Sequence, residues 1–193
     1  MSDRLIHTID LVAEDPVVKA IINSENERQH ACKDWLIQQT EDYVSIKDNF
    51  TVCIAGGWFG LLAHKLRQKY NDRITKLISF DRDKTCITVG KMLYPDSKIK
   101  FIWDTVQNFD PSKFDVIVST SCEHFSDKEL NNFLSKRKTN TIVVLQNNNY
   151  FALPEHKNCK NNLNEFADSL DLHIIDSMEL KTDAYTRYMI VGR

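Results

Sequence analysis

Hydrophobic positions along the chain keep two alternating rhythms. Four short runs rich in β-branched and aromatic residues, Thr51–Ala55, Leu77–Phe80, Phe114–Ser119 and Thr141–Gln146, are almost continuously apolar. A strand covered by helices on both faces has this composition, whereas a strand with one wet face alternates. Lys98–Trp103 reads as a fifth, more amphipathic strand. Between the strands, apolar residues recur at helical spacing. Leu61, Leu62, Leu66 and Tyr70 form one stripe, and Cys86, Val89, Gly90 and Leu93 a second that Pro95 ends. Leu130, Phe133 and Leu134 form a third, and Leu163, Phe166 and Leu170 a fourth. Ser126 with Glu129 three residues on spells a capping box at the start of the third.

Strand and helix alternate, which predicts a mainly parallel sheet with right-handed crossovers. The end of the chain breaks the rhythm. Leu172–Ile175, continuing toward Leu180, and Tyr185–Gly192 read as two strands joined by the polar stretch Lys181-Thr182-Asp183-Ala184. That is too short for a crossover helix, so the pair should be antiparallel. Ahead of the first strand come helical patterns over Ile9–Asn23 and Glu25–Glu41. The second has Ala31, Trp35 and Leu36 on one face and Arg28, Lys33 and Asp34 elsewhere; Lys33 and Trp35 could close over a pocket, though such a pattern more often puts Trp35 in the core and Lys33 in solvent. Residues 1–193 read as a single domain, with 1–48 a helical extension and 49–193 the core.

Composition narrows the functional classes. Hydrophobic residues at 42% and charged residues at 27% are globular values that argue against wholesale disorder. The formal net charge is −2 and the pI about 6.3, without the basic face that a dedicated duplex binder uses to neutralise phosphates. Lys136-Arg137-Lys138, with Lys128 nearby, is the only compact basic cluster and reads as a solvated helix end. Nucleic acid stays open as an acceptor but is disfavoured. Five scattered cysteines without a CxxC pair fit a reducing cytosol rather than a disulfide framework. The start, Met1-Ser2-Asp3-Arg4, has no apolar signal core, and no segment could span a bilayer, so a cytoplasmic protein without membrane attachment is expected. His156-x-x-Cys159 stands isolated, without the further ligands of a structural zinc site, so no metal is expected.

The chemistry concentrates where strands end. Val52-Cys53-Ile54-Ala55-Gly56-Gly57-Trp58-Phe59-Gly60-Leu61-Leu62 is a buried strand, a glycine turn and a helix start. Glycines allow the backbone to lie close against a ligand, and the free N–H groups of the helix start favour an anionic group. Gly57-x-x-Gly60 keeps half of a GxGxxG pattern, with Ala55 at its first glycine. Asp81 ends the second strand, about 20 residues beyond the turn, where an acid can take both hydroxyls of a ribose. Asp83 is a rival that reads better as a helix cap. Asp104 ends the third strand, where a carboxylate could accept from an adenine amino group.

Taken together, the glycine turn, Asp81, Asp104, the strand Phe114–Ser119 and the terminal hairpin resemble the seven-stranded class I S-adenosylmethionine (SAM)-dependent methyltransferases, over about Thr51–Arg193. The resemblance implies a Rossmann-like three-layer α/β/α sandwich with sheet order 3-2-1-4-5-7-6, strand seven antiparallel. It implies SAM as cofactor: Ala55, Gly56, Gly57 and Gly60 flanking its methionine part, Asp81 the ribose, Asp104 and Thr105 the adenine, and Ser119 and Thr120 the methyl donor. Two positions depart from the family pattern: Ile54 replaces a common acid, and Trp58 interrupts the GxGxG alternation.

The acceptor side is read from the loops after strands four and five. Ser119-Thr120-Ser121-Cys122-Glu123-His124-Phe125 lacks the Asn/Asp-Pro-Pro-aromatic segment of enzymes that methylate DNA amino groups, and Cys122 lacks a Pro-Cys context. Glu123 and His124 are the candidate acid–base pair, set against a merely structural capping role. Gln146-Asn147-Asn148-Asn149-Tyr150-Phe151 offers amides and a flat aromatic face, which makes Asn147 and Tyr150, with Trp35 from the extension, candidate substrate contacts. The expectation is a methyltransferase acting on a small-molecule or nucleotide-like acceptor. The alternatives are a SAM-binding or scaffold protein without activity, a nucleic-acid methyltransferase, and an NAD-type oxidoreductase, which the closing hairpin opposes.

Overall fold

The computed structural model describes residues 15–44, 47–95 and 97–193. Two helices, α1 (Pro16–Ser24) and α2 (Glu27–Val44), precede β1 (Phe50–Ala55). Then follow α3 (Leu61–Tyr70), β2 (Ile74–Asp81), α4 (Lys84–Leu93), β3 (Lys100–Trp103) and β4 (Val116–Ser119). The chain ends with α5 (Asp127–Leu134), β5 (Ile142–Asn148), α6 (Leu163–Asp168), β6 (Ile174–Lys181) and β7 (Thr186–Gly192). The seven strands form one sheet of order β3-β2-β1-β4-β5-β7-β6. β7 runs antiparallel to both of its neighbours, and the other pairs are parallel. This is the sheet expected from the sequence.

Strand periodicity divides the core in two. Val52 and Ile54 point to one face and Cys53 and Ala55 to the other. The first face packs against Leu36 and Ile37 of α2 and Leu62, Ala63 and Leu66 of α3. The second packs against Leu130, Phe133 and Leu134 of α5 and Phe166 of α6. Both faces of the central strands are therefore dry, the reason their sequences run continuously apolar. Ser126 and Glu129 form the expected capping box on α5.

Differences from expectation are local. The helix expected from Ile9 begins at Pro16, capped by the Asp15 carboxylate, and its part before Asp15 lies outside the described residues. The polar run Gln146-Asn147-Asn148 is not a turn but the buried end of β5, with Asn147 opposite Tyr188 and Asn148 opposite Arg187 of β7. Their side chains find partners there for three of the four amide atoms. Asn147 Nδ2 donates to the Asn158 carbonyl at 3.0 Å, and Asn148 Oδ1 accepts from the Tyr150 N–H at 2.9 Å.

Lys33 was expected in solvent but is buried, only 8% exposed. Helical spacing explains it: Lys33, Leu36, Ile37, Thr40 and Val44 fall on one buried stripe of α2. Trp35 stays half-buried and packs against the first core cluster. Among the described residues no helix is long and apolar enough to cross a membrane.

Candidate functional site

β1 passes into α3 through the glycine turn, and each glycine there is explained by a neighbour. A Cβ on Gly57 would stand 2.0 Å from the Ser79 hydroxyl oxygen of β2. Gly60 has a φ of 97°, and the ring of Phe101 lies 2.6 Å from where its Cβ would be. The Cβ side of Gly56 is covered by Phe125 and Ser121 from the loop after β4, with Ser121 Oγ donating to the Gly56 carbonyl at 3.0 Å. Trp58 takes a left-handed φ of 48° and stacks on Phe59 at 5.3 Å.

Three strand ends meet at this turn. The Gly57 N–H donates to the Phe80 carbonyl at 3.0 Å, and the Trp58 N–H donates to Asp81 Oδ2 at 3.0 Å. Asp81 Oδ1 accepts from the Asp83 N–H at 3.0 Å. The Asp104 N–H donates to the Asp81 carbonyl at 3.1 Å, and Asp104 Oδ1 accepts from the Thr105 N–H at 2.8 Å. Asp83, the rival acid, caps α4 through the Thr85 N–H. Asp81 and Asp104 are half-buried, and each carboxylate oxygen keeps lone pairs for an incoming hydroxyl or amine. The chemistry of a ribose and an adenine edge therefore fits the groups present.

A second polar group lies beside the first, joined to it by the loop after β4. Glu123 sits in the short 3₁₀ turn Cys122–His124 and is 4% exposed. His156 Nε2 stands 3.9 Å from Glu123 Oε1, and the rings of His124 and His156 meet edge to face at 4.9 Å. Tyr150 and Tyr185 pack at 5.4 Å with their rings tilted by 33°, and the Tyr150 ring lies 6.0 Å from His156. Arg187 of β7 reaches in from below the loop. Its Nη1 donates to the Thr120 carbonyl at 3.1 Å and its Nη2 to the Tyr185 hydroxyl at 3.2 Å. Burial lowers the Arg187 pKa, but the Glu123 charge together with Tyr185 and Cys32 outweighs this and holds the guanidinium ionised.

Lys33 completes the group from α2, its Nζ bonded to Gln29 Oε1. Burial, then repulsion from Arg187, brings its pKa down to about 7, against opposing pulls from Cys32, Glu123 and Glu25. A fully buried Cys122 has its thiol pushed far up by burial first and Glu123 second, which removes it as a nucleophile. Six buried side-chain polar atoms among the described residues lack a partner, and three of them, Glu123 Oε2, Arg187 Nε and Asn148 Nδ2, fall in this one neighbourhood. Buried polar atoms are nearly always satisfied, so these three leave hydrogen-bonding capacity that a ligand could take up; the other three, His64 Nδ1, Arg67 Nε and the Tyr70 hydroxyl, all lie on α3. A cavity of about 360 Å³ opens alongside, walled by Arg82, His124, Asp127, Glu129 and Lys157 among others.

The structure thus gathers Ala55, Gly56, Gly57, Gly60, Asp81, Asp104 and Thr105 around one turn, with Ser119, Thr120, Glu123, His124 and Tyr150 on the adjoining side. Two candidates sit elsewhere. Trp35 packs against the core, and its helix neighbour Lys33 is the residue that enters the polar group. Asn147 is fully buried with its amide committed to Asn158 and to the Asn148 N–H, so it braces the loop rather than facing a ligand. From the sequence, Lys33 was placed mainly in solvent and His156 in an isolated pair with Cys159, while Arg187 was passed over. The one signal Arg187 carried is its place directly before the apolar run Tyr188–Gly192, inside the stretch Tyr185–Gly192 that reads as a strand.

No protein-family model matches the sequence, and no curated protein matches it. Solved structures do match in shape. The N-methyltransferase NodS from Bradyrhizobium japonicum, in complex with S-adenosyl-L-homocysteine (SAH), superposes with a TM-score of 0.70 at 10% identity, covering 97% of this chain and 96% of that one. The 1,6-didemethyltoxoflavin-N1-methyltransferase of Burkholderia thailandensis gives 0.68 at 11% identity, covering 97% and 88%. The [4+2]-cyclase SpnF gives 0.71 at 10% identity, covering 97% and 93%. With its sheet order and closing hairpin, the chain has the class I SAM-dependent methyltransferase fold. At these identities the likeness extends to the fold and no further, and a cyclase shares that fold.

Proposed function

We propose that the protein is a SAM-dependent methyltransferase acting on a small-molecule or nucleotide-like acceptor. The observation that carries the reading is the hydrogen-bonded set of glycine turn, Asp81 and Asp104 at three adjacent strand ends, set against a buried group of unsatisfied polar atoms. SAM would supply an electrophilic methyl group there. Asp81 accepts from the ribose hydroxyls, Asp104 and Thr105 meet the adenine, and Ser119 and Thr120 line the path to the acceptor. Transfer from a sulfonium is an in-line displacement that depends chiefly on positioning.

The acceptor enters beside Glu123, His124 and Tyr150. The Nδ1 of His124 lies 3.0 Å from the Glu155 carbonyl, which can only accept, so Nδ1 carries the proton and Nε2 keeps its lone pair. His124 is thereby prepared to take a proton from a hydroxyl or amine. Arg187 holds positive charge near the acceptor, which favours one carrying a carboxylate, phosphate or carbonyl.

Calorimetric titration with SAH tests the reading. Binding to the intact chain is expected, and Asp81→Ala should weaken it by at least about tenfold, the equivalent of roughly 1.4 kcal/mol. Equal affinity in the variant removes the ribose assignment, and absence of binding to the intact chain removes the proposal.

A further inference from the structure

We propose that Glu123, His124 and His156 bind one divalent transition-metal ion of the zinc type. The three residues arrive from two loops, after β4 and after β5, and one ligand atom from each lies within 4.8 Å of the others. A four-coordinate ion with bonds of about 2.0–2.1 Å spaces its ligand atoms about 3.4 Å apart. The 3.9 Å between His156 Nε2 and Glu123 Oε1 is close to that, within reach of a small side-chain rotation.

Both imidazoles are already oriented as metal ligands are. His124 Nδ1 lies 3.0 Å from the Glu155 carbonyl, and His156 Nδ1 lies 2.9 Å from the Tyr150 carbonyl. A carbonyl cannot donate, so Nδ1 bears a proton in each, and in the neutral ring Nε2 carries the lone pair. A backbone carbonyl on the second ring nitrogen is the usual outer-shell partner of a metal-bound histidine, fixing tautomer and ring angle. The carboxylate points the same way. Glu123 is 4% exposed, yet its Oε2 has no hydrogen-bond partner. An uncompensated buried carboxylate oxygen is costly, and a cation on it relieves the cost.

The surroundings select the ion. Arg187 and Lys33 also face Glu123, so one carboxylate shared with two basic side chains makes a poor site for a hard ion such as Mg²⁺ or Ca²⁺, which relies on several anionic oxygens. Two neutral imidazoles suit a borderline ion instead. Cys159 is not a ligand. Its thiol lies 3.3 Å from the Tyr150 carbonyl, on the Nδ1 side of His156. His124 also forms part of the wall of the neighbouring cavity, which gives an ion and its exchangeable waters a route in. Three protein ligands leave at least one coordination position open, as in catalytic rather than structural zinc sites. The proposal deepens the reading of this loop as the acceptor end of a methyl-transfer centre, because an open position there would orient and polarise an acceptor oxygen or nitrogen.

The test needs no SAM, so its failure and that of the methyltransferase reading are seen separately. The purified full chain is stripped with a chelator and titrated with Zn²⁺ by calorimetry, then with Co²⁺ by visible absorption. One equivalent should bind, and the cobalt form should show d–d bands of a four- or five-coordinate site without a thiolate charge-transfer band. His156→Asn and Glu123→Gln should each weaken Zn²⁺ binding by more than the roughly 10–100-fold that loss of an outer-shell partner costs, while Cys159→Ser binds as the parent does. Absence of stoichiometric binding, a thiolate band in the unmutated protein, or unchanged affinity in the His156 and Glu123 variants would overturn the proposal.

Discussion

Lys33→Met is the sharpest probe of how the polar group is built. Lys33 lies on the buried stripe of α2, and its pKa falls from 10.5 to about 7, first through burial and then through Arg187. A change of that size corresponds to roughly 4–5 kcal/mol between charged and neutral forms. The ammonium retains a hydrogen bond to the half-buried Gln29, so part of this is screened, and roughly 2–3 kcal/mol is expected in practice. The sign follows from proton uptake. Between pH 7 and about 10.4 the unfolded chain binds more protons at Lys33 than the folded one, so its contribution to stability rises with pH across that window. The penalty is complete below pH 7 and gone above about pH 10.4. Methionine has similar length and no charge, so the variant should be more stable at pH 6 by that amount, raising Tm by about 4–12 °C. The advantage should shrink steadily toward pH 10. Urea unfolding of both proteins across pH 6–10 measures it. A difference that does not vary with pH, or a variant less stable at pH 6, would show that Lys33 is not held as a desolvated amine.

Two further outcomes follow from the packing. Asp115, at the opposite end of the sheet, is half-buried, which alone would raise its pKa. Bonds from Lys138, Lys47 and the Thr51 N–H and hydroxyl outweigh that and hold the carboxyl well below its usual range. Its stabilisation is present above about pH 4 and lost as pH falls through the lowered value, so Asp115→Asn should cost roughly 1–3 kcal/mol at pH 7 and much less at pH 2 in denaturant titrations. Gly57→Ala should cost roughly 1–3 kcal/mol, because the new Cβ meets Ser79 Oγ, and Ser79→Ala in the same chain should recover most of it in the same assay. Failure of that rescue would mean the turn resists alanine for another reason.

The fold was readable because its signals are local and repeated. Continuous apolar runs marked strands buried on both faces, and the short polar link 181–184 left no room for a crossover. Asp81 and Asp104 were readable from their places at strand ends. The polar group around Glu123 was harder because it is assembled by tertiary contacts. His156 stands in a different loop from His124, and nothing local announces that β5 and the 3₁₀ turn bring both to Glu123. Lys33 misled because a lysine on a helix is usually wet, and only its alignment with Leu36, Ile37 and Thr40 betrays the buried stripe. The Asn147–Asn148 pair misled in the same way: amides favour turns in isolation, but here the backbone pairs with β7 and the Asn147 amide bonds to the Asn158 carbonyl inside a strand.

The central claim is that a nucleoside is clasped between the glycine turn and two carboxylates. A crystal structure grown with SAH tests it directly. The account places both ribose hydroxyls within hydrogen-bond distance of the Asp81 carboxylate and the adenine edge at Asp104. SAH bound elsewhere, or bound here with Asp81 making no contact to the ribose, would contradict it.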